Sequence, residues 1–186
     1  MSNISRRKFT LAALTAATLT AGCGNGIGGG GSDTIDARVD ATLEHLYATY
    51  PNTGTLAEKA NGILVMPLIT EAGFGVGGGY GRGALQVGGV TVDYYSAAKG
   101  SFGFQIGAKQ YAHVLFFMTE DALTNFRRSN GWAAGADIEY VISDRGQNLN
   151  AETTTSLAPV VAVIFGQAGL HFGATLEGIK YTRIIP

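Results

Sequence analysis

Between residues 33 and 50 the apolar positions recur at helical spacing, as Ile35, Val39, Leu43, Leu46, Tyr47 and Tyr50, with Ser32 or Asp33 placed to cap the start and Pro51 to end it. The opposite face carries Asp33, Asp36, Asp40 and Glu44 with Arg38 as its one cation. An acidic face of this kind predicts packing on the chain's own domain, not contact with anionic lipid. A second short helix is expected over Thr55 to Ala60, followed by a buried strand over Gly62 to Ile69 with Pro67 near its end. From there the pattern shifts to period two. It predicts strands at Val90 to Ala98, Phe102 to Ala108, Tyr111 to Met118, Ala136 to Ser143, Val160 to Phe165, Leu170 to Leu176 and Ile179 to Ile184. One helix interrupts them, Glu120 to Arg128, with Thr119 as cap, acids in its first turn, Arg127 and Arg128 in its last, and Asn130-Gly131 as its stop. Tyr111 to Met118 is apolar on both faces apart from His113, which predicts a central strand covered on both sides.

Glycine changes this picture. The chain has 28 glycines in 186 residues, about twice the usual share of roughly 7%. They gather in GFGVGGGYG (73–81), GSFGFQIG (100–107) and GQAGLHFG (166–173). Within EAGFGVGGGYGRG, Gly73, Gly75 and Gly78 match the spacing of a dinucleotide loop, with Asp93 posed as its distant acid. That loop has to open a helix, and glycine costs about 1 kcal/mol at each interior helical position. Positions 73, 75, 77, 79, 81 and 83 are all glycine, while Phe74, Val76, Tyr80, Arg82 and Ala84 hold the even ones. This is a strand with one face stripped bare, expected where another backbone lies very close or a sheet bends hard. The class is therefore α+β and mostly antiparallel: a strongly bent or barrel-like sheet of Gly-rich strands, an N-terminal amphipathic helix and one helix near 120–128.

Charge and cysteine set the context. The formal net charge is −1, with 13 basic and 14 acidic residues. Three of the basic residues, Arg6, Arg7 and Lys8, fall in SRRKFTLAALTAATLTAGC (5–23), which has the order of an export signal and is too short to span a membrane. Its removal leaves 10 basic against 14 acidic residues, a balance that argues against nucleic acid. Ser5-Arg6-Arg7-Lys8-Phe9 resembles the twin-arginine export motif. Thr20-Ala21-Gly22-Cys23 resembles a bacterial lipobox, which makes Cys23, the one cysteine, the site of lipid attachment. Residues 1–22 then read as signal, 23–32 as a Gly-rich tether reaching on the order of 15 to 20 Å, and 33–186 as one domain. Gly24 after the cysteine suits outer-membrane cargo on the periplasmic side.

Catalytic chemistry finds little support. His45, His113 and His171 share no ligand spacing, no second cysteine exists for a metal site, and Ser101 lacks a nucleophile elbow. Glu71, Asp93, Asp137, Glu139, Asp144 and Glu177 form no readable pair. No enzyme activity, metal or cofactor is expected. The cations Arg82, Lys99, Lys109, Arg127, Arg128 and Lys180 are the candidate contacts for lipid headgroups, with Arg183 beside them in sequence.

The succession ANGILVMP, GFGVGGGYGRGAL, VDYYSAAKGSFGFQIGAKQY, LFFMTEDALTNFR and GLHFGATLEGIKYTRI resembles the SYLF domain family from about residue 56 to the end. It includes the G-x-Q-x-G element at Gly103, Gln105 and Gly107 and the L-E-G of Leu176 to Gly178. The resemblance implies membrane-lipid binding without catalysis. Eukaryotic relatives look like phosphoinositide-binding modules, some of which bind actin, and bacterial relatives are often exported or lipid-anchored. Actin is not expected as a partner in a bacterial envelope. Relatives often carry a lysine ahead of the glycine run, where this chain has Glu71-Ala72. The competing expectation is a structural or interaction protein of the envelope, held to the membrane by the acylated cysteine alone and recruiting a protein partner through strand edges.

Overall fold

The computed structural model describes residues 30–134, 138–142, 158–166 and 176–186, with side chains for all of these except 74–76, 101–107 and 138–142. The export signal with Arg6, Arg7 and Cys23, the tether up to residue 29, His171 and most of the expected strand at Leu170 to Leu176 lie outside the described residues.

Helix α1 (Gly31–Thr49) follows Gly30 with no side-chain cap and buries Ile35, Val39, Thr42, Leu43 and Leu46. The cap thus lies two residues ahead of the expected Ser32 and three ahead of Asp33, and the Gly30 carbonyl accepts from both the Thr34 amide at 3.1 Å and the Thr34 hydroxyl at 2.7 Å. Helix α2 spans Asn52–Lys59, beginning earlier than the expected Thr55. Pro51 fits the entry to a helix, where a missing N–H costs nothing, and the Thr53 hydroxyl holds the Tyr50 carbonyl at 2.6 Å. Helix α3 runs over Glu120–Arg128 as the sequence predicts, with Thr119 accepting from the Ala122 amide at 3.2 Å.

The largest departure concerns strand length. The segments 62–69 and 73–83 belong to one strand, β1 (Gly62–Val87), and three further segments fuse into β2 (Val90–Phe117). Gly88 and Gly89 join them at φ 59° and 78°, the left-handed pair that a two-residue hairpin turn demands. Short strands follow: β3 (Trp132–Ala133), β4 (Ile138–Ile142), β5 (Val160–Phe165) and β6 (Ile179–Ile184). On the edge of β2 opposite β1, β5 pairs antiparallel with residues 112–117 and β6 with residues 94–99. β3 extends the sheet beyond β6, and β4 runs parallel to β5. The described strands thus form a mostly antiparallel six-stranded sheet.

A straight 26-residue ribbon would be about 85 Å long at roughly 3.3 Å per residue, and this one curls back on itself. Its register breaks between Met66 and Ile69, between Gly73 and Gly75, and between Leu85 and Gln86, and bulges of this kind bend a strand and raise its twist. The middle break pairs Gly73 with Gly107 and Gly75 with Gly103, so the G-x-Q-x-G element spans the irregularity. The returning half of β1 then crosses the first half at backbone contact. A methyl carbon on Gly83 would overlap the Val65 carbonyl, and one on Gly81 the Leu68 carbonyl. The bare face expected from the alternating glycines is the surface of this crossing.

Two apolar clusters result. The inner one joins Leu64, Met66, Leu85, Tyr95, Tyr111, Leu115, Phe117 and Tyr181, and is plugged by Leu123 and Phe126 of α3. The Phe126 ring lies 4.7 Å from Tyr95 and 4.8 Å from Phe117. The outer cluster seats α1 and α2 on Val65, Ala84, Val114, Phe116, Val161 and Val163. Tyr111 through Phe117 are all buried, as a strand covered on both sides requires.

The crossing makes a direct prediction. Gly83→Ala should cost about 3 kcal/mol, the upper end of overpacking penalties, because the obstacle is backbone that has no rotamer to change. Gly88→Ala, with open space around it and only a left-handed φ to bear, should cost about 1 kcal/mol. Urea denaturation of the two variants checks the order. Equal costs would show that the crossing is looser than described.

Candidate functional site

Three features can carry function: a polar cluster within the curl, an open face of the sheet, and a cavity beneath α1.

The cluster is built around Glu71, at the head of the glycine run. Its side chain passes over Gly79, where a Cβ would stand 2.8 Å from its Cγ. The carboxylate meets the Lys99 ammonium at 3.8 Å and accepts from the Tyr111 hydroxyl at 2.6 Å. Lys99 pairs with Gly79 in the ladder, so this contact ties the first half of β1 to the returning half. Tyr111 is held well above the usual phenol range, by burial first and by Glu71 second. Beside it His113 is fully buried, its Nε2 lying 2.8 Å from the Tyr181 hydroxyl and its Nδ1 without a partner among the described residues. The imidazole is pushed down to about 3, mainly by burial and further by the Lys99 charge.

The open face lies on the outer side of the curl. α1 covers this side at Ala84 and Tyr94, where Asp36 accepts from the Tyr94 hydroxyl at 2.7 Å and from the Thr91 hydroxyl at 3.0 Å. Desolvation, and then Asp36, push the Tyr94 phenol up to about 12. The next rows across β1, β2 and β6 are Arg82, Ser96 and Thr182, then Tyr80, Ala98 and Lys180. Residues directly opposite in a ladder share a face, and Tyr80 is 55% exposed. At about 4.8 Å per strand, Tyr80 and Lys180 stand roughly 10 Å apart with only alanine between them.

The cavity, about 480 Å³, is lined by Arg38, Ala41, Thr42 and His45 of α1 above Pro67, Leu68, Ala112 and Phe165. It owes its existence to the first bulge. The ladder steps from Met66 opposite His113 to Ile69 opposite Tyr111, so Pro67 and Leu68 face the single small residue Ala112. The facing turn of α1 is also small, Ala41 and Thr42, and the gap is left unfilled. Arg38 makes no ion pair among the described residues, and the His45 ring lies 6.1 Å from Phe165.

The cations expected to meet headgroups divide among these places. Lys99 is drawn inward by Glu71 and has 14% of its side chain exposed. Lys109 is half-buried opposite Glu71 in the ladder. Arg127 contacts Asp93 at 3.0 Å, and Arg183, 3.4 Å from the same carboxylate, donates to the Arg127 carbonyl at 2.9 Å, so these groups tie α3 to the sheet. Arg82, Arg128 and Lys180 are exposed. No group of His, Cys, Asp and Glu among the described residues can hold a metal, and no described helix is long and apolar enough to cross a membrane. Sequence reasoning missed the cavity. Its signals were Arg38 alone on an acidic helix, two small residues beside it, and a proline inside a strand.

The fold and these surfaces define a curled α+β domain with an open cationic face and an apolar cavity. Residues 98–183 match the family described as "Ysc84: Las17-binding protein actin regulator", which is the SYLF domain family, so the resemblance seen in the sequence is borne out over that segment. The match begins within β2, and the blocks ANGILVMP and GFGVGGGYGRGAL lie ahead of it. No curated protein matches the chain.

His113 sets a pH dependence. Its folded value lies below the ordinary 6.5, so the unfolded chain takes up a proton that the folded chain refuses. Stability is therefore complete above about pH 6.5 and declines as pH falls from there towards 3. The urea midpoint should drop more steeply between pH 7 and pH 4 in the parent than in His113→Gln. Parallel profiles would mean that His113 is not the group responsible.

Proposed function

We propose that the chain is an exported, lipid-anchored protein of a bacterial envelope whose folded domain binds membrane lipid without catalysis. Acylated Cys23 holds it to the membrane, on the periplasmic side of the outer membrane, and the tether leads into α1. The observation that carries the lipid reading is the open face of Tyr80, Arg82 and Lys180. A tyrosine over small residues with a cation on either side suits a membrane interface, where the ring enters the headgroup layer and long basic side chains reach phosphates. The family match supports a binding module over an enzyme. Lys99 and Arg127 serve the fold under this reading, and Arg82 and Lys180 serve the lipid.

Full-length Cys23→Ser protein should co-sediment with vesicles of phosphatidylethanolamine and phosphatidylglycerol. Each of Arg82→Gln and Lys180→Gln should weaken this by about 1 kcal/mol, roughly fivefold, with the loss shrinking at high salt. If the Cys23→Ser protein stays in the supernatant with every headgroup, the fold does not bind membranes and the acyl anchor supplies all the attachment.

A further inference from the structure

The cavity beneath α1 lies on a different part of the molecule from the open face and has a different chemistry. On the sheet side it is lined by the apolar residues Pro67, Leu68, Ala112 and Phe165, and on the α1 side Arg38 and His45 are exposed. Arg38 is exposed and lacks an ion pair among the described residues, and the acids Asp36 and Asp40 lie on the far flank of α1, turned towards Thr91, Tyr94 and Gln86. A lone cation at the mouth of an apolar pocket complements an amphiphile with one anionic end.

We propose that this cavity binds a single-chain anionic amphiphile, a long-chain fatty acid, with its hydrocarbon tail over Leu68 and Phe165 and its carboxylate at Arg38. Size selects one chain. At roughly 30 Å³ for each water-sized group, about 480 Å³ accommodates on the order of fifteen methylenes. That matches one acyl tail, whereas the two tails of a diacyl lipid would need about twice the volume. The volume falls within the usual range of small-molecule sites, roughly 300–1,000 Å³, and the single charged group fixes which end faces water.

Full-length Cys23→Ser protein, stripped of lipid, is titrated with fatty acids of increasing length by displacement of a fluorescent fatty acid. Binding should be saturable at one per chain. Affinity should rise by up to about fourfold per methylene and level off near the length that fills the cavity. Arg38→Gln should weaken the acid about tenfold, as expected for loss of a charge-assisted hydrogen bond, while leaving the matching fatty alcohol unchanged. Ala41→Phe fills the cavity from an exposed helical position and should abolish binding of both ligands without lowering the urea midpoint. Absence of saturable binding, or full affinity in a folded Ala41→Phe protein, overturns the proposal. Equal losses for acid and alcohol in Arg38→Gln overturn the assignment of the carboxylate. Vesicle co-sedimentation through Arg82 and Lys180 is scored separately, so either site stands or falls without the other.

Discussion

The structure depends on one contact, the crossing of β1 over itself. Stacked sheet layers ordinarily stand about 10 Å apart because side chains fill the space between them. At Gly81 and Gly83 there is nothing to fill it, and the strand backbone comes to rest on the carbonyls of Leu68 and Val65. A two-stranded ribbon is thereby turned into a curl with an inside and an outside. The inside is narrow enough for the single helix α3 to plug, and the outside presents both halves of β1 to α1, which packs on Val65 and Ala84 together.

Polar groups reinforce the same closure. Glu71 reaches Lys99 because Gly79 leaves its path open, and the Tyr111 hydroxyl holds the carboxylate from the side. Burial makes this arrangement costly to disturb, since a charge left alone there would lose both its partner and its water. His113 shows the same constraint from the other side: burial disfavours its second ring proton, and at neutral pH it stays uncharged against Tyr181. These aromatic and ionisable groups secure the crossing and the core.

The bulge at Pro67 illustrates how a device of folding becomes an opportunity for binding. It turns the Leu68 carbonyl towards Gly81 on the inner side and leaves a hollow opposite Ala112 on the outer side, beneath two small residues of α1. Cation placement follows a similar division. Arg127 and Arg183 converge on Asp93 to fasten α3, whereas Arg82 and Lys180 project from rows of the sheet that no described helix covers.

Much of this was legible along the chain. Short-range physics wrote the α1 stripe, the Thr119 cap and the bounds of β5 and β6, because spacing and local hydrogen bonding decide such features within a few residues. Parity alone exposed the bare face of the glycine run. It could not say that β1 and β2 are continuous, because a bulge breaks the alternation of side chains while leaving the strand intact. Nor could it sort the cations. Lys99 and Lys180 look alike in sequence, and the partner that draws Lys99 inward lies 28 positions away across a fold-over. The sequence by itself determined which segments become helix or strand and where side chains had to be missing. The tertiary structure alone decided what fills that absence, which charges remain on the surface, and where a cavity opens, because these depend on contacts between residues that only the curl brings together.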